Sequence, residues 1–410
     1  MIPRHQLAVR SPVRAGALAR AAGAALLVDA SHFAPLAAIL REQLDARRVT
    51  FTDRGTSALV LAMRMTAGAG GTVALPAYGC VDLTAAAVRA GVNVRLYDLD
   101  PETLSPDLGS LARALGRGVD AVVAVHLYGY PADMDGILEV ASRYGVPVIE
   151  DAAQGAGASY RGRMLGAFGD LTVLSFGRGK GITGGQGGAL VTRDERWLAA
   201  VEQAGATLGV PRGGWRDVSG VAVQWVLGRP ELYAIPAAIP WLRLGEMVYR
   251  PVGEPAAMSA AAATLIAHSL PDSAREVEIR RRRAREIEAF ASGAPGLFPA
   301  RPLASAEPGY LRLAVRETAG RGPVPALGIM RGYPRTLAEQ PELAPCLHAG
   351  ERAGTGATAL RRTLLTMPTH GALRDDDVRR LDDWVSSTRG VPDRRVQPPL
   401  PHPSSAATGR

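Results

Sequence analysis

The chain has 410 residues, of which 47% are hydrophobic, 21% charged and 5% aromatic. This length and composition fit a globular protein with one large domain and a smaller one. The low aromatic content argues against a surface of aromatic platforms for carbohydrate or single-stranded nucleic acid. The formal net charge of +8 comes from scattered arginines without a zinc-finger, RRM or helix-turn-helix signature, so we expect no nucleic-acid partner.

Cysteine content and hydropathy indicate where in the cell the protein is expected. Cys80 and Cys346 are the only cysteines of the sequence and lie far apart, which indicates neither a disulfide framework nor a metal site. The Arg-rich N-terminus lacks a clear apolar segment followed by a cleavage site. No run of about 18 apolar residues could span a bilayer. We expect a cytoplasmic protein without a metal and without membrane contact.

The first half of the chain alternates short strand-like runs with helical patterns. Residues 1–49 are expected to form an N-terminal arm with a helix. The predicted strands are residues 72–76, 93–99, 120–129, 146–151, 171–176 and 187–192. Between them, residues 80–91 and 134–145 carry apolar residues at helical spacing and end in glycine. Continuous Val/Ile/Leu strands alternating with helices predict an α/β fold, with a mostly parallel sheet flanked by helices in a large domain over residues 50–207.

The second half is predicted to differ in organisation. Residues 208–256 are rich in Pro, Gly and Trp and are expected to form a connecting excursion. A smaller C-terminal α+β domain over residues 257–390 follows. Its predicted elements are a basic helix at about 272–292, strands within 310–317 and 326–334, and a helix at 374–388. The alternating charges of the basic helix favour a solvated or dimer-facing surface. The Pro- and Ser-rich tail, residues 391–410, is expected to be disordered.

Polar residues that follow the predicted strands are the candidates for chemistry, because ligands of such sheets bind beyond the carboxyl ends of the strands. Asp151 ends one strand and Gln154 comes three residues later. Ser175 lies close to the end of another strand, and Lys180 comes five residues after it. The Gly-Thr-Ser sequence at residues 55–57 precedes a helical run, where it could seat a phosphate or simply cap the helix.

A lysine, a carboxylate and a phosphate seat match the needs of pyridoxal 5'-phosphate. This cofactor requires an amine that forms a Schiff base and a carboxylate that keeps its ring nitrogen protonated. It also requires anchors for its phosphate. Lys180 is not part of a Walker-type phosphate loop, because the residue after it is Gly181 rather than Ser or Thr.

The motifs "GTSAL", "VVAVHLYGYPADMDG", "VIEDAAQGAGASY" and "SFGRGKGITGGQGG" together carry a family resemblance. From about residue 50 to 195 the chain resembles the DegT/StrS-type sugar aminotransferases, which are fold type I pyridoxal-phosphate enzymes. Weaker similarity recurs in "YPRTLAEQP" and in residues 364–384. The combination of Asp-Ala-Ala-Gln with Ser-Phe, a lysine and a Gly-Gly pair is specific.

The resemblance implies roles for individual residues. Lys180 would form the Schiff base and carry protons, Asp151 would pair with the ring nitrogen, and Gln154 would bind the phenolic oxygen of the ring. His126 would pack and hydrogen-bond beside the ring rather than transfer protons. The phosphate end would be held by Gly55, Thr56, Ser57 and Ser175.

Three departures from the family pattern stand out. Relatives place an aromatic ring that stacks on the cofactor where this chain has Cys80, so either the thiol packs there or the nearby Tyr78 takes the place of that ring. Gln186 stands where relatives carry a glutamate. The Asn-x-Arg-Met stretch that reaches the site from a partner subunit is missing, and Arg250 or Arg178 is an alternative phosphate contact.

The resemblance therefore implies a cytoplasmic homodimer with shared active sites and aminotransferase activity. The amino group would move from an amino acid, glutamate, to a nucleotide-linked keto sugar, in the biosynthesis of cell-surface polysaccharide or a natural product. One alternative is a sugar dehydratase or eliminase, although family members of that type replace the lysine with histidine. The other is a non-catalytic regulator or scaffold.

Overall fold

The computed structural model of the chain describes residues 4–387, apart from residues 156, 243, 244 and 246. The tail at 391–410, for which the sequence predicts disorder, lies outside the described residues. The helices are α1 Ala15–Leu26, α2 Ala34–Leu44, α3 Gly55–Thr66, α4 Val81–Ala90, α5 Leu108–Leu115, α6 Met134–Tyr144, α7 Glu195–Ala206, α8 Trp215–Leu227, α9 Ala234–Ala237, α10 Ala260–Ala291, α11 Thr355–Thr363 and α12 Asp375–Ser386.

The strands fall into one large sheet and two small ones. Their bounds are β1 Arg48–Thr52, β2 Thr72–Pro76, β3 Asn93–Tyr97, β4 Ala121–Val125, β5 Val148–Asp151, β6 Ser159–Tyr160, β7 Arg163–Met164, β8 Leu171–Ser175, β9 Gly188–Thr192, β10 Leu297–Pro299, β11 Ala306–Glu307, β12 Leu313–Glu317, β13 Met330–Arg331 and β14 Leu364–Met367. Each of the six predicted strands of the large domain contains one of these strands.

The large sheet is mostly parallel, as the sequence predicts. Its strand order is β1-β9-β8-β5-β4-β2-β3. The pairs from β8 to β3 are parallel, whereas β9 pairs antiparallel with both β8 and β1. Strands such as β4 are buried along their whole length, because helices cover both faces of the sheet. The α/β fold class is thereby confirmed.

Alternate residues of one strand feed two separate cores. Val123 and Val125 of β4 pack with α3 and α4, while Val122 and Ala124 pack with α5 and α6, as the period of two in a strand requires. The two predicted helices at 80–91 and 134–145 are α4 and α6. They end at glycines in the left-handed conformation, with φ of 73° at Gly91 and 65° at Gly145.

The second half contains the small antiparallel sheet β10-β12-β14-β13 together with α11 and α12. The basic helix is α10, and its predicted start at about residue 272 is wrong, since the helix begins at Ala260 and contains Pro271. The proline resembles a helix start in the sequence, but the apolar residues before it pack against α1. The strand predicted within 326–334 is reduced to β13. The proposed division into domains at residues 49, 207, 256 and 390 stays a prediction.

The predicted connecting excursion at 208–256 contains helical structure. Helix α8 buries Val218 and Val221 against small residues of α1 and α10. Because alanine side chains are short, the three helices approach one another closely. Among the described residues, no helix has both the length and the apolar character needed to cross a membrane.

The N-terminal arm joins three parts of the molecule. The backbone N–H of His5 donates to the carbonyl of Pro230 at 2.8 Å. The carbonyl of Leu7 lies 2.9 Å from Nε2 of the buried His370. The hydroxyl of Ser11 donates to the backbone carbonyl of Lys180. The arm therefore contacts the excursion, the C-terminal half and the loop that carries the candidate lysine.

Candidate active site

A cavity lies at the carboxyl ends of β4, β5 and β8, where the N-termini of α3 and α4 also converge. Eight of the ten residues that the sequence predicts line it together: Gly55, Thr56, Cys80, His126, Asp151, Gln154, Ser175 and Lys180. The remaining lining residues are Leu59, Asp82, Leu83, Val125, Ala153 and Val173. The sheet topology brings them together, because the polar residues follow neighbouring strands.

One end of the cavity combines a helix start with a hydroxyl group. Gly55 and Thr56 are the first residues of α3, and Ser175 ends β8. A Cβ at Gly55 would lie 2.6 Å from Cβ of Ser175, and a Cβ at Gly188 would lie 2.4 Å from the carbonyl carbon of Arg54. Residues without side chains are therefore needed for the strand and the helix to meet. The result is a concave site for an anion at the positive end of a helix.

Ser57 does not reach this cavity in the described structure. It is fully buried, and its hydroxyl donates to Oδ1 of Asp53 at 2.6 Å. The sequence pattern could not separate Ser57 from Thr56, because both hydroxyls lie in the first turn of the same helix. The prediction of a direct phosphate contact by Ser57 finds no support in this geometry.

Asp151 ends β5 and supplies a carboxylate to the cavity. Its Oδ1 accepts from the backbone N–H of Ala153 at 3.0 Å. Burial raises the pKa of Asp151, and this effect is only partly offset by that hydrogen bond and by the positive charge of Lys180. A buried carboxylate of this kind favours a cationic partner in the cavity.

His126 is held in one orientation by two neighbours. The ring is fully buried, its Nδ1 accepts from the backbone N–H of Ala132 at 3.0 Å, and its Nε2 lies 3.0 Å from Oε1 of Glu150. Because Nδ1 accepts a hydrogen bond, Nε2 carries the proton and donates to Glu150. The imidazole is therefore neutral, which favours the predicted packing role over proton transfer.

Gln154 joins the cavity to a cluster of tyrosines. Its Oε1 accepts from the backbone N–H of Tyr128 at 3.1 Å, and its Nε2 donates to the hydroxyl of Tyr333 at 2.8 Å. The rings of Tyr128 and Tyr333 stack with centroids 5.3 Å apart. The sequence analysis missed both tyrosines. Tyr333 comes from a distant part of the chain, so only its position at the start of the weakly similar segment "YPRTLAEQP" could have indicated it.

Of the two alternatives for the ring-stacking position, only Cys80 lines the cavity. Tyr78 is fully buried behind it, and its hydroxyl accepts from the backbone N–H of Tyr333 at 2.7 Å. Burial also raises the pKa of the Cys80 thiol. Cys80 Sγ donates to Oδ2 of Asp82 at 3.4 Å, and Asp82 is a second cavity residue that the sequence analysis missed.

Lys180 lies in the glycine-rich loop between β8 and β9, with its side chain in the cavity. It is the only lysine of the 410-residue sequence. Gln186 of the same loop lines a neighbouring chamber instead, together with Asp53 and Arg212. Arg178 and Arg250 are not among the described residues that line the cofactor cavity.

Solved structures share the fold of this chain. The crystal structure of DesI with its TDP-sugar product aligns with a TM-score of 0.73 at 22% identity, over 94% of this chain and 93% of that chain. A DegT DnrJ EryC1 StrS aminotransferase from Brucella abortus aligns with a TM-score of 0.70 at 20% identity, over 90% and 94%. These likenesses concern the fold, which is that of fold type I pyridoxal-phosphate aminotransferases.

The family follows from the sequence itself. The model of the DegT/DnrJ/EryC1/StrS aminotransferase family matches residues 17–291, which is more than half of the chain. The protein belongs to this family.

Relatives with assigned names match over shorter segments. A GDP-perosamine synthase of Caulobacter vibrioides is 40% identical over 144 residues, which are 35% of this chain and 39% of the relative. An L-glutamine:2-deoxy-scyllo-inosose aminotransferase of Micromonospora echinospora is 40% identical over 146 residues, 35% and 34% of the two chains. The chain therefore matches well under half the length of these two relatives.

Proposed function

We propose that the protein is a pyridoxal-phosphate-dependent aminotransferase that transfers an amino group from an amino acid to a keto group on a sugar or sugar-like ring. The observation that carries this proposal is the meeting of Lys180, the half-buried Asp151 and the start of α3 in one cavity. Family membership and the relatives named as sugar and cyclitol aminotransferases support it.

The residues present fit the cofactor. The backbone at the start of α3, with the hydroxyls of Thr56 and Ser175, suits a phosphate dianion. Asp151 is a carboxylate whose charge is disfavoured by burial, so a protonated ring nitrogen would relieve that cost. Gln154 has an amide that can turn toward the ring oxygen. These are the donors and charges that the cofactor needs at its three polar positions.

When bound, the cofactor supplies an electron sink and a carbonyl-type carbon that accepts and releases the amino group. Lys180 would hold that carbon through its amine and would afterwards carry a proton from the reacting carbon of the amino donor to the carbon of the cofactor that takes up the amino group. Asp151 would keep the proton on the ring nitrogen. His126, neutral and held by Ala132 and Glu150, would pack beside the ring without exchanging protons.

We further propose glutamate or its amide as the donor, and a keto sugar, nucleotide-linked as in the sequence prediction, as the acceptor. The biosynthesis of cell-surface polysaccharide or a natural product is the corresponding pathway class. A cytoplasmic location is supported by the free thiols of Cys80 and Cys346, because disulfides are rare in reducing compartments.

A homodimer is part of the proposal. Large apolar side chains are exposed at the end of α1 and in the excursion, among them Leu27 at 74%, Val210 at 86% and Trp241 at 79%. Exposed side chains of this size are candidates for burial in an interface. A second copy of the chain would cover them and bring groups of the partner to the cavity.

The unique lysine makes the central test direct. Purified protein is mixed with pyridoxal phosphate, and the visible absorbance of the bound cofactor is followed while an amino donor is added. Reduction of the complex with borohydride should then leave the cofactor mass on the peptide that contains Lys180. Lys180→Ala and Lys180→Arg should both lower turnover by at least about 10³-fold. Because arginine keeps the positive charge, equal losses identify the amine as the required group.

Three results would overturn the proposal. Turnover by Lys180→Ala would show that the lysine amine is not the required group. A wild type that binds no cofactor would favour a non-catalytic member of the family. Release of an unsaturated or deoxygenated sugar without transfer of the amino group of the donor would favour the eliminase alternative.

A further inference from the structure

Asp82 is a carboxylate in the cavity to which the proposed mechanism gives no role. It is the second residue of α4, is exposed, and lines the cavity together with Lys180 and Asp151. Its Oδ2 accepts from Cys80 Sγ at 3.4 Å. A thiol is a weak donor, so most of the hydrogen-bonding capacity of the carboxylate is left for another molecule.

A purely structural role would not explain this position. An acid in the first turn stabilises a helix modestly through the helix dipole. Asp135 holds the same place in α6, where it pairs with Arg161 at the surface. Asp82 differs from Asp135 because its side chain lies in the cavity beside the proposed cofactor lysine.

The charge of Asp82 acts on the groups that surround the reacting atoms. It raises the pKa of both Cys80 and Asp151, whereas the positive charge of Lys180 acts in the opposite direction on both. A substrate that reaches the Lys180 amine is therefore within electrostatic range of Asp82. A second negative charge on that substrate would be repelled, and an amide or hydroxyl group could donate a hydrogen bond.

The size of the Cys80 side chain allows a substrate to contact the Asp82 carboxylate. Cys80 lines the cavity next to Asp82, and its side chain is a small thiol that donates to the Asp82 carboxylate. The small thiol leaves Asp82 exposed. Cys80 and Asp82 thus form one polar corner of the cavity.

We propose that Asp82 is a specificity-determining residue, which selects substrates that present hydrogen-bond donors and no second negative charge to the start of α4. This inference rests on the proposed function. It makes the amino donor an amino acid with a side-chain amide, of the glutamine class, rather than a dicarboxylic amino acid. The acceptor is then a ring that offers hydroxyl groups to the same carboxylate.

The test compares two donors in the first half-reaction, without any acceptor. Cofactor-loaded protein is mixed with glutamine or glutamate, and kcat/KM is taken from the loss of the visible band. Wild type is expected to prefer glutamine by about tenfold or more, since tenfold corresponds to only about 1.4 kcal/mol. Asp82→Asn should raise kcat/KM for glutamate about tenfold, through KM, and change that for glutamine much less.

A matched variant controls for the helix effect. Asp135→Asn removes the equivalent first-turn acid of α6 and should leave the glutamine-to-glutamate ratio unchanged. An unchanged ratio in Asp82→Asn, or a wild type that uses glutamate as well as glutamine, overturns the inference.

A second readout does not depend on turnover. Calorimetry with the cofactor-loaded protein measures the Kd of glutarate and of its monoamide. The monoamide should bind more tightly to the wild type, and the difference should shrink in Asp82→Asn; equal affinities in the wild type contradict the inference. If neither amino acid alters the bound cofactor, the aminotransferase proposal fails, while the calorimetric comparison still decides the role of Asp82.

Discussion

Gly55 shows how closely a helix and a strand meet at the cofactor cavity. A Cβ added there would lie 2.6 Å from Cβ of Ser175, so one of the two elements must move. We expect Gly55→Ala to lower the free energy of unfolding by about 1–3 kcal/mol, as overpacking does, and to weaken cofactor binding roughly tenfold. Urea unfolding and a fluorescence titration with pyridoxal phosphate measure the two effects.

Gly23 provides the control for that substitution. It is an exposed residue within α1, and a Cβ there would meet nothing within 4 Å. Gly23→Ala should therefore raise stability by about 0.5–1 kcal/mol, because alanine favours the helix, and leave cofactor affinity unchanged. Equal behaviour of the two alanine variants would show that the contact between Gly55 and Ser175 is unimportant.

At the scale of elements, Glu150 connects β5 to the turn before β8. Its fully buried carboxylate accepts from the backbone N–H groups of Gly166, Phe168 and Gly169 at 2.6, 2.8 and 2.9 Å, in addition to His126. Burial by itself would raise the pKa of Glu150, but the hydrogen bond from His126 and the hydrogen bonds from the backbone donors lower it below its ordinary value. The turn is thus held in place by an ionised side chain.

Removal of this carboxylate should destabilise the protein strongly. Glu150→Ala leaves buried donors without an acceptor, and we expect a loss of about 3 kcal/mol. Glu150→Gln keeps one oxygen acceptor and should cost less. Because the folded-state pKa is depressed, the contribution of Glu150 is present above its ordinary pKa and is lost as the pH falls through the folded value. Denaturant unfolding from pH 7 to pH 3 should show a smaller difference between wild type and Glu150→Ala at the acid end.

The elements differ in how far the sequence determines them. The run at 72–76 predicts β2 to the residue, because a continuous apolar segment between turn residues has few alternatives. β1 is missed, since "RVTFT" alternates polar and apolar residues and its partner β9 lies far away in the chain. The helical part of the excursion is also missed, because packing on α1 outweighs its Pro and Gly content.

The same distinction applies to the site. Lys180, Asp151 and Gln154 follow strands and belong to a motif, so the sequence alone predicts that they meet. Asp82 reaches the site because of the orientation of α4, and Tyr333 reaches it because two distant segments of the chain are in contact. No local sequence pattern predicts either arrangement. Ser57 was predicted as a phosphate contact from the family resemblance and Tyr78 as a substitute for the stacking ring, but neither residue lines the cavity.

For the molecule as a whole, the exposed apolar residues predict association. We expect light scattering after size exclusion to give twice the 43.0 kDa mass of one chain. Trp241→Glu places a charge at an exposed apolar position of the excursion and should shift the protein toward the monomer. It should also reduce turnover if the partner completes the site.

Phe298→Glu is the matched control for that variant. Phe298 is also an exposed aromatic residue, at 47%, but it belongs to β10 in the small sheet. This change should leave the mass unaltered. A wild-type mass of a single chain, or dissociation by both variants alike, would contradict a dimer formed through the excursion.

The contact between Ser11 and the carbonyl of Lys180 has a practical consequence for handling the protein. Anything fused to the first residues, such as an affinity tag or a cleavage remnant, enters a segment only a few residues away from the loop of the reactive amine. An N-terminal fusion can thus mimic a defective active site in an assay.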